Sequence, residues 1–241
     1  MKTEILGVNF DNIQFNDALD EVLYLAENGK SAYIVTPNSE ICHMCLEDES
    51  FKKIINSADL VFPDGIGVIY ASKILKKPIQ QKITGSDITV NVLSEACKKG
   101  LSIYLFGAKP GVSDKAKEEI EKKYPNINIV GTHHGYFDDD TEIINDINDK
   151  GPNILLVCLG APKQEKWMFD NRDKLNINVM LGIGGMLDVL SGDVKRAPII
   201  WQKLNLEWLY RVIKDPKRIK RLYILPKYIF AAIKERMSKN A

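Results

Sequence analysis

Short apolar runs alternate with amphipathic stretches over most of the chain. Runs that are apolar at every position, rather than alternating, are typical of parallel strands buried on both faces. The stretches between them show helical spacing, which predicts an α/β fold: a mostly parallel sheet with right-handed crossovers and helices on both faces. The apolar runs are AYIVT (32–36), LVF (60–62), SIYLFG (102–107), INIVG (127–131), ILLVCLG (154–160) and VMLGIGG (179–185).

The two ends of the chain depart from this alternation. ILGVNF (5–10) and NDALDEVLYLAEN (16–28) predict one extra strand and helix before the first unit. Beyond SGDVKRAP (191–198) the strand pattern stops, and the rest predicts three short helices, with Asp215 as an N-cap and with Pro216 and Pro226 in or near first turns. We therefore expect a core at 1–195 and a C-terminal helical appendage at 196–241.

Charge separates the same two parts. The net charge is +1, but residues 196–241 hold twelve Lys+Arg against three Asp+Glu, and residues 1–195 hold 21 against 29. The basic tail also carries Trp201 and Trp208, a combination that suits an anionic membrane surface. An ordinary solvated face remains an alternative, and nucleic-acid binding is not expected because the basic surface is confined to one short element.

Composition and the first residues indicate the compartment. A hydrophobic content of 45% suffices for a sizeable core, and four cysteines without an even framework favour reduced thiols. The start MKTEILGVNFDN lacks the basic and apolar segments of a signal peptide, and no apolar run is long enough to span a bilayer. These features predict a protein that is neither secreted nor integral to a membrane.

Candidate chemistry lies just after the predicted strands, because ligands bind outside the carboxyl ends of parallel strands. Gly107 and the loop at 182–185 enter helices through glycines, which favours an anion such as a diphosphate, although glycine also serves plain tight turns. The first turns read TPN and PDG instead of G-x-G-x-x-G, so NAD and FAD are not expected.

Asp64 closes the predicted strand LVF within a Pro-Asp-Gly turn. At the ligand edge of a sheet, partial desolvation favours a carboxylate that acts as a general base. The alternative is a turn-forming aspartate with no chemical role. The residues alone leave both interpretations open.

Three segments suggest metal binding, and each has a structural alternative. His133-His134 lacks a ligand spacing, and Cys42 and Cys45 form one C-x-x-C pair without a second. The acidic run 138–140 resembles a D-x-D cation site, but carboxylates also favour the N-terminus of the helix that follows. We expect no metal and no cofactor.

Several motifs together resemble the WecG/TagA/CpsF glycosyltransferase family over nearly the whole chain. The resemblance implies a Rossmann-like fold. It is nearest to the wall teichoic acid branch, whose members transfer ManNAc from UDP-ManNAc to the GlcNAc of undecaprenyl-diphosphate-GlcNAc through a β-1,4 link. The motifs are VTPNSEI (35–41), ADLVFPDGIGV (58–68), TGSD (84–87), LFGAKPGV (105–112), IVGTHHGYF (129–137), LVCLGAPKQEKW (156–167), GIGGMLDVLSGDVKRAP (182–198) and LEWLYR (206–211).

The resemblance also implies residue roles. The aspartate of PDG, Asp64, is the implied general base of an inverting displacement. Residues implied to line the pocket are Thr36, Asn38 and Gln164, and the implied appendage arginines are Arg211, Arg218 and Arg221. For the departing diphosphate and the sugar nucleotide we add Gly107, Gly184, Gly185, Tyr136 and Asp188 as candidates.

The expected partners follow from this function: a UDP-sugar donor, an undecaprenyl-diphosphate-linked acceptor and the inner face of the cell membrane, where the cytoplasmic enzyme would bind peripherally. UDP-ManNAcA or UDP-glucose as donor, and a non-catalytic membrane-associated nucleotide-binding module, remain alternatives. The sequence allows the tail helices to pack either on the protein's own core or on a second copy, so a homo-oligomer remains an alternative to a monomer.

Overall fold

The computed structural model describes residues 1–214, 219 and 223–238, without the side chains of Lys203 and Arg211. The strands are β1 (Lys2–Ile5), β2 (Val8–Asp11), β3 (Ala32–Val35), β4 (Leu60–Val61), β5 (Ser102–Gly107), β6 (Asn128–His133), β7 (Ile154–Cys158) and β8 (Val179–Gly182). The helices are α1 (Phe15–Asn28), α2 (Ser39–Glu47), α3 (Glu49–Asn56), α4 (Ile66–Ile74), α5 (Gly85–Lys99), α6 (Val112–Lys123), α7 (Thr141–Lys150), α8 (Lys163–Asn171), α9 (Met186–Leu190), α10 (Ile199–Lys203), α11 (Glu207–Lys214) and α12 (Ile224–Ser238).

The main sheet has six parallel strands in the order β4-β3-β8-β7-β5-β6. Each predicted apolar run forms one of these strands, so the predicted α/β, Rossmann-like architecture is confirmed. From β5 the chain crosses to β6 on one side, and from β7 it crosses to β8 on the other. The connections therefore diverge between β5 and β7, a point where open parallel sheets bind ligands.

Successive strand residues point into two hydrophobic clusters, one on each face of the sheet. In β5, Tyr104 and Phe106 join one cluster, and Ile103 and Leu105 join the other. Helices α2, α3, α4, α7, α8 and α12 cover the first face, and α1, α5, α6 and α9 cover the second. Helices on both faces explain why the strands are apolar at every position.

The N-terminal segment differs from the prediction of a single strand. Leu6 and Gly7, with φ of 50° and 82°, form a turn that divides it into the antiparallel hairpin of β1 and β2. Asp11 ties this hairpin to the main sheet, because its Oδ2 accepts a hydrogen bond of 2.9 Å from the Val61 N–H. The apolar spacing of ILGVNF looks continuous and hides the turn.

The predicted helical tail is present in the described residues. Its first helix is divided at 204–206 into α10 and α11, where Asn205 has a φ of 58°. Helix α12 packs on α2 and α4, and its residues Tyr228 and Ala232 are fully buried. Asp215 and Pro216 lie outside the described residues. Within the described part of the chain, no helix combines the length and apolar character needed to cross a membrane.

Candidate active site

Asp64 lies in the loop after β4, half-buried at the carboxyl end of the sheet. Its backbone N–H donates to the Pro37 carbonyl oxygen at 3.3 Å, which ties the loop to the one that follows β3. Its carboxylate Oδ2 accepts a hydrogen bond of 3.3 Å from the N–H of Gly85, the first residue of α5. Three loops of the ligand edge therefore meet at this carboxylate.

Asp64 faces a cavity of about 240 Å³, which we call the Asp64 cavity. One part of its wall comes from the core, and the other comes from the tail. The core residues are Asn38, Ser39, Glu40, Asp64, Gly65, Ile66, Gly67, Lys82, Thr84, Ser86 and Asp87; the tail residues are Arg196, Gln202, Asn205, Glu207, Trp208, Val212, Ile224 and Leu225.

Thr36 and Asn38 follow β3 and lie close to Asp64 in the fold. Asn38 is the N-cap of α2, and its Oδ1 accepts from the N–H groups of Glu40 and Ile41 at 2.9 and 3.2 Å. A Cβ on Gly85 would lie 2.8 Å from Thr36 Oγ1, so a side chain at position 85 would push Thr36 away. The helix cap and this glycine fix the two polar residues beside the carboxylate.

A polar network that the sequence interpretation missed joins the core to the tail across the Asp64 cavity. Arg196 donates to Asp87 Oδ1 at 2.6 Å, and Thr84 Oγ1 donates to Asp87 Oδ2 at 2.7 Å. Burial opposes ionisation of Asp87, but hydrogen bonds from Thr84 and Arg196 outweigh it and lower its pKa. Lys82 also reaches the tail, donating to Asn205 Oδ1 at 2.6 Å. The stretch TGSD (84–87) has a T-x-x-D helix-capping pattern, which was the sequence signal for the contact between Thr84 and Asp87.

A second cavity, of about 620 Å³, lies beyond the carboxyl ends of β5 and β7, where the sheet connections diverge. We call it the Tyr136 cavity. It holds two predicted residues, Tyr136 and Asp188, and two lysines that the sequence interpretation missed. Its wall consists of Ala108, Lys109, Gly135, Tyr136, Phe137, Asp138, Cys158, Leu159, Lys163 and Asp188. No residue of the described tail contributes to it.

Gly107 shapes the floor of the Tyr136 cavity without lining it. Its φ is 127°, and a Cβ there would lie 2.2 Å from the Cys158 carbonyl oxygen. The next residue, Ala108, donates its N–H to that same oxygen at 2.9 Å. The close approach of the two strand ends therefore requires glycine at position 107.

Comparison with known proteins identifies the family. The WecG/TagA/CpsF family of glycosyl transferases matches residues 3–241. The chain belongs to this family. It is 37% identical to a Bacillus subtilis (strain 168) protein over all of this chain and 94% of that protein. It is 35% identical to a Staphylococcus aureus (strain MRSA252) protein over 97% of this chain and 92% of that protein. Both relatives are named N-acetylglucosaminyldiphosphoundecaprenol N-acetyl-beta-D-mannosaminyltransferase.

In this family member Gln164 lies beneath the loop after β8, outside the walls of both cavities. It is 4% exposed, and its Oε1 accepts a hydrogen bond of 2.8 Å from the N–H of Gly184. Gly184 has a φ of 60°, and Gly185 is the N-cap of α9. Gln164 thus holds this loop (182–185), which we call the glycine loop, from below.

Glu165 is buried next to Gln164, at 1% exposure. Its Oε1 accepts from Gln164 Nε2 at 3.0 Å, and its Oε2 has no hydrogen-bond partner among the described residues. Burial raises the pKa of Glu165 to about 7, from 4.5 when the group is exposed.

Glu165 should make the protein less stable as the pH rises from about 5 to about 8. Between the two pKa values the folded protein binds a proton that the unfolded chain has released. The protonated Glu165 therefore leaves the folded state fully stable at acid pH, and that stability is lost as the pH rises through 7. The expected loss is on the order of 3 kcal/mol of unfolding free energy. Urea unfolding at both pH values should show a clearly smaller loss in Glu165→Gln.

The exposed Glu142→Gln serves as the control for this measurement, because it removes the same charge from the surface. It should keep the pH dependence of the wild type. An equal loss of stability in wild type and Glu165→Gln would show that Glu165 ionises as readily in the folded protein as in the unfolded chain.

Of the three segments considered for metal binding, the acidic run and the histidine pair have structural partners, and the cysteine pair is buried. Asp140 Oδ2 accepts from Trp167 Nε1 at 2.7 Å and from Asn171 Nδ2 at 3.0 Å. His133 Nδ1 contacts the His134 carbonyl oxygen at 2.7 Å, and Cys42 is a buried free thiol. Over the described ranges, no three His, Cys, Asp or Glu side chains are grouped to hold a metal ion. Independence from metal stays a prediction.

The side chains of the three predicted tail arginines lie outside the part of the chain that the structure describes. Arg211 belongs to α11, but its side chain is outside the described atoms, and Arg218 and Arg221 are outside the described residues. Their roles remain predictions.

Proposed function

We propose that this protein is an inverting glycosyltransferase that moves ManNAc from UDP-ManNAc to the GlcNAc of undecaprenyl-diphosphate-GlcNAc. The main support is the Asp64 carboxylate, which lies in a cavity shared by the core and the tail. The names of the Bacillus and Staphylococcus relatives support the donor and acceptor. We assign the Tyr136 cavity to the donor and the Asp64 cavity to the acceptor.

Asp64 is the proposed general base. It removes the proton from the acceptor 4-hydroxyl as that oxygen attacks the anomeric carbon of the donor. The new carbon–oxygen bond forms as the bond to the diphosphate breaks, and the bonding electrons leave on the diphosphate oxygen. One displacement converts an α-linked donor into a β-linked product, so one base is sufficient. The Gly85 N–H directed at Asp64 Oδ2 holds the carboxylate in place.

The Tyr136 cavity is the proposed donor site. Tyr136 is 62% exposed there, which leaves its ring free to stack on a base. Lys109 and Lys163 bring positive charge to the same wall, which favours a diphosphate. We assign Asp188, which lines this cavity, to the nucleoside. Gly107 ends β5, and Gly184 and Gly185 follow β8, the strand next to β7, so we assign these three glycines beside the cavity to the diphosphate.

The tail is the proposed acceptor and membrane side. It lines the Asp64 cavity, and its outer surface carries exposed apolar side chains together with the excess of Lys and Arg. This combination suits the inner face of a membrane with anionic lipids, and Arg211, Arg218 and Arg221 would bind phosphates there. Among the described residues of the tail, the large exposed apolar side chains are Ile199, Ile200, Leu204, Trp208, Ile213, Ile219, Tyr223, Phe230, Ile233 and Met237.

One assay tests donor, acceptor and membrane together. The purified protein is incubated with UDP-ManNAc, UDP-ManNAcA or UDP-glucose and a lipid-diphosphate-GlcNAc in neutral or anionic vesicles, with and without EDTA, and UDP release is measured. We expect release only with UDP-ManNAc and acceptor, faster on anionic vesicles and unaffected by EDTA. Release from another donor would reassign the donor, and UDP binding without turnover would favour a non-catalytic module.

A further inference from the structure

Four groups form a buried chain of contacts under the glycine loop after β8. Glu165 Oε1 accepts from Gln164 Nε2 at 3.0 Å, and Gln164 Oε1 accepts from the Gly184 N–H at 2.8 Å. On the other side, Cys158 Sγ lies 2.7 Å from the Gly184 carbonyl oxygen. Both polar groups of the Gly184 backbone are therefore engaged from below, by residues of α8 and β7.

Cys158 can take only one role in this contact. Burial raises the pKa of its thiol to about 12, so the thiol stays protonated and donates to the Gly184 carbonyl oxygen. Gln164 differs, because its amide has a donor end and an acceptor end of similar shape. Turned by half a rotation, it would direct its NH₂ group at the Gly184 N–H, and two donors would face each other.

Above pH 7, where Glu165 is ionised in spite of the pKa that burial has raised, a carboxylate next to the amide removes this ambiguity. It accepts hydrogen bonds and donates none, so it binds the NH₂ end of Gln164 and leaves the carbonyl end for Gly184. We infer that Glu165 is a positioning residue that fixes the orientation of Gln164 and thereby the shape of the glycine loop that contacts the donor diphosphate. The inference rests on the proposed function of this loop.

The surroundings of Glu165 support a role beyond stability. The side chain is 1% exposed, and its second oxygen has no hydrogen-bond partner in the described part of the chain. On α2, Cys45 interacts with it electrostatically, and burial together with the Glu165 charge raises the pKa of this thiol to about 12. The neighbour is therefore a neutral thiol that does not compensate the carboxylate. A neutral side chain of the same size would stabilise the fold better.

A double-mutant cycle on UDP binding tests the inference. The full-length wild type, Glu165→Gln, Gln164→Met and the double variant are compared by UDP affinity and by melting temperature at pH 8, with Glu142→Gln as the surface control. A glutamine at 165 accepts or donates equally well, so it no longer selects one orientation of Gln164. We expect Glu165→Gln to weaken UDP binding roughly fivefold without lowering the melting temperature.

In the Gln164→Met background, Glu165→Gln should not weaken UDP binding further, because its effect on UDP binding acts through the Gln164 amide. In turnover, the KM for the UDP sugar should rise and the KM for the lipid acceptor should stay the same. Unchanged UDP affinity in Glu165→Gln, or an equal loss in both backgrounds, would overturn the inference.

The two possible failures can be told apart. If Gln164→Met weakens UDP binding and Glu165→Gln does not, the positioning role fails and the donor site stands. If Gln164→Met also leaves UDP affinity unchanged, the loop does not contact the diphosphate, and both the inference and the assignment of Gly184 and Gly185 to the diphosphate fail. The reaction itself is tested separately by UDP release from wild type.

Discussion

Asp64→Asn should lower the rate of sugar transfer by roughly 10²- to 10⁴-fold, the range that a general base contributes. Asparagine keeps the size of the side chain and can still accept the hydrogen bond that the Gly85 N–H donates. It cannot take the proton of the acceptor hydroxyl. UDP release in the presence of lipid acceptor measures the rate, and UDP affinity is measured on the same preparation.

UDP affinity should remain within a few-fold of the wild type, because the Tyr136 cavity lies at other strand ends and does not include Asp64. The exposed Asp20→Asn removes an equal charge from α1 and should leave both quantities unchanged. Transfer by Asp64→Asn at a rate near that of the wild type would remove Asp64 as the base and return it to the role of a turn residue.

Ala232→Glu should detach α12 from the core. It should therefore impair the Asp64 cavity and leave the Tyr136 cavity intact. Ala232 is fully buried against the core, and a charged side chain there costs roughly 3 kcal/mol or more unless the helix moves away. When α12 leaves, Ile224 and Leu225 no longer line the Asp64 cavity. We expect transfer to a short-chain acceptor to fall by on the order of 100-fold, since substrate positioning is lost, while UDP affinity changes little.

The control is Phe230→Glu, which introduces the same charge on the exposed side of α12, where Phe230 is 67% exposed. With a short-chain acceptor in solution it should retain transfer activity, because membrane contact is not needed. Full transfer by Ala232→Glu would contradict the proposed contribution of the tail to the active site. A large loss of UDP affinity would instead indicate that the core itself had been disturbed.

The position of α12 also bears on the boundary proposed at residue 195. Tyr228 and Ala232 belong to the hydrophobic cluster on one face of the sheet, together with Cys42 and Val68. Removing 196–241 would expose that apolar surface as well as open the Asp64 cavity. The division into a core and an appendage stays a prediction. Point variants in α12 test the contribution of the tail to the reaction and expose less apolar surface than the deletion would.

The sequence itself determined the alternating architecture. A strand covered on both faces must be apolar at every position, so Ile154–Cys158 and its parallel neighbours are visible as short apolar runs. Because these strands are parallel, the residues after them share one edge, which is why Asp64 and Tyr136 were found as candidates. The family resemblance was also present in the motifs and is confirmed by the match over residues 3–241.

Only the tertiary structure decided which of these residues meet. The Gly85 N–H reaches Asp64 from 21 positions away, and Arg196 reaches Asp87 from 109 positions away. Gln164 lies under the glycine loop, a place that no local spacing indicates. Periodicity records which side of an element is buried but not its partner, whereas the walls of a cavity depend on contacts between distant segments. The packing of α12 on its own core also depends on contacts between distant segments, so only the tertiary structure decided it.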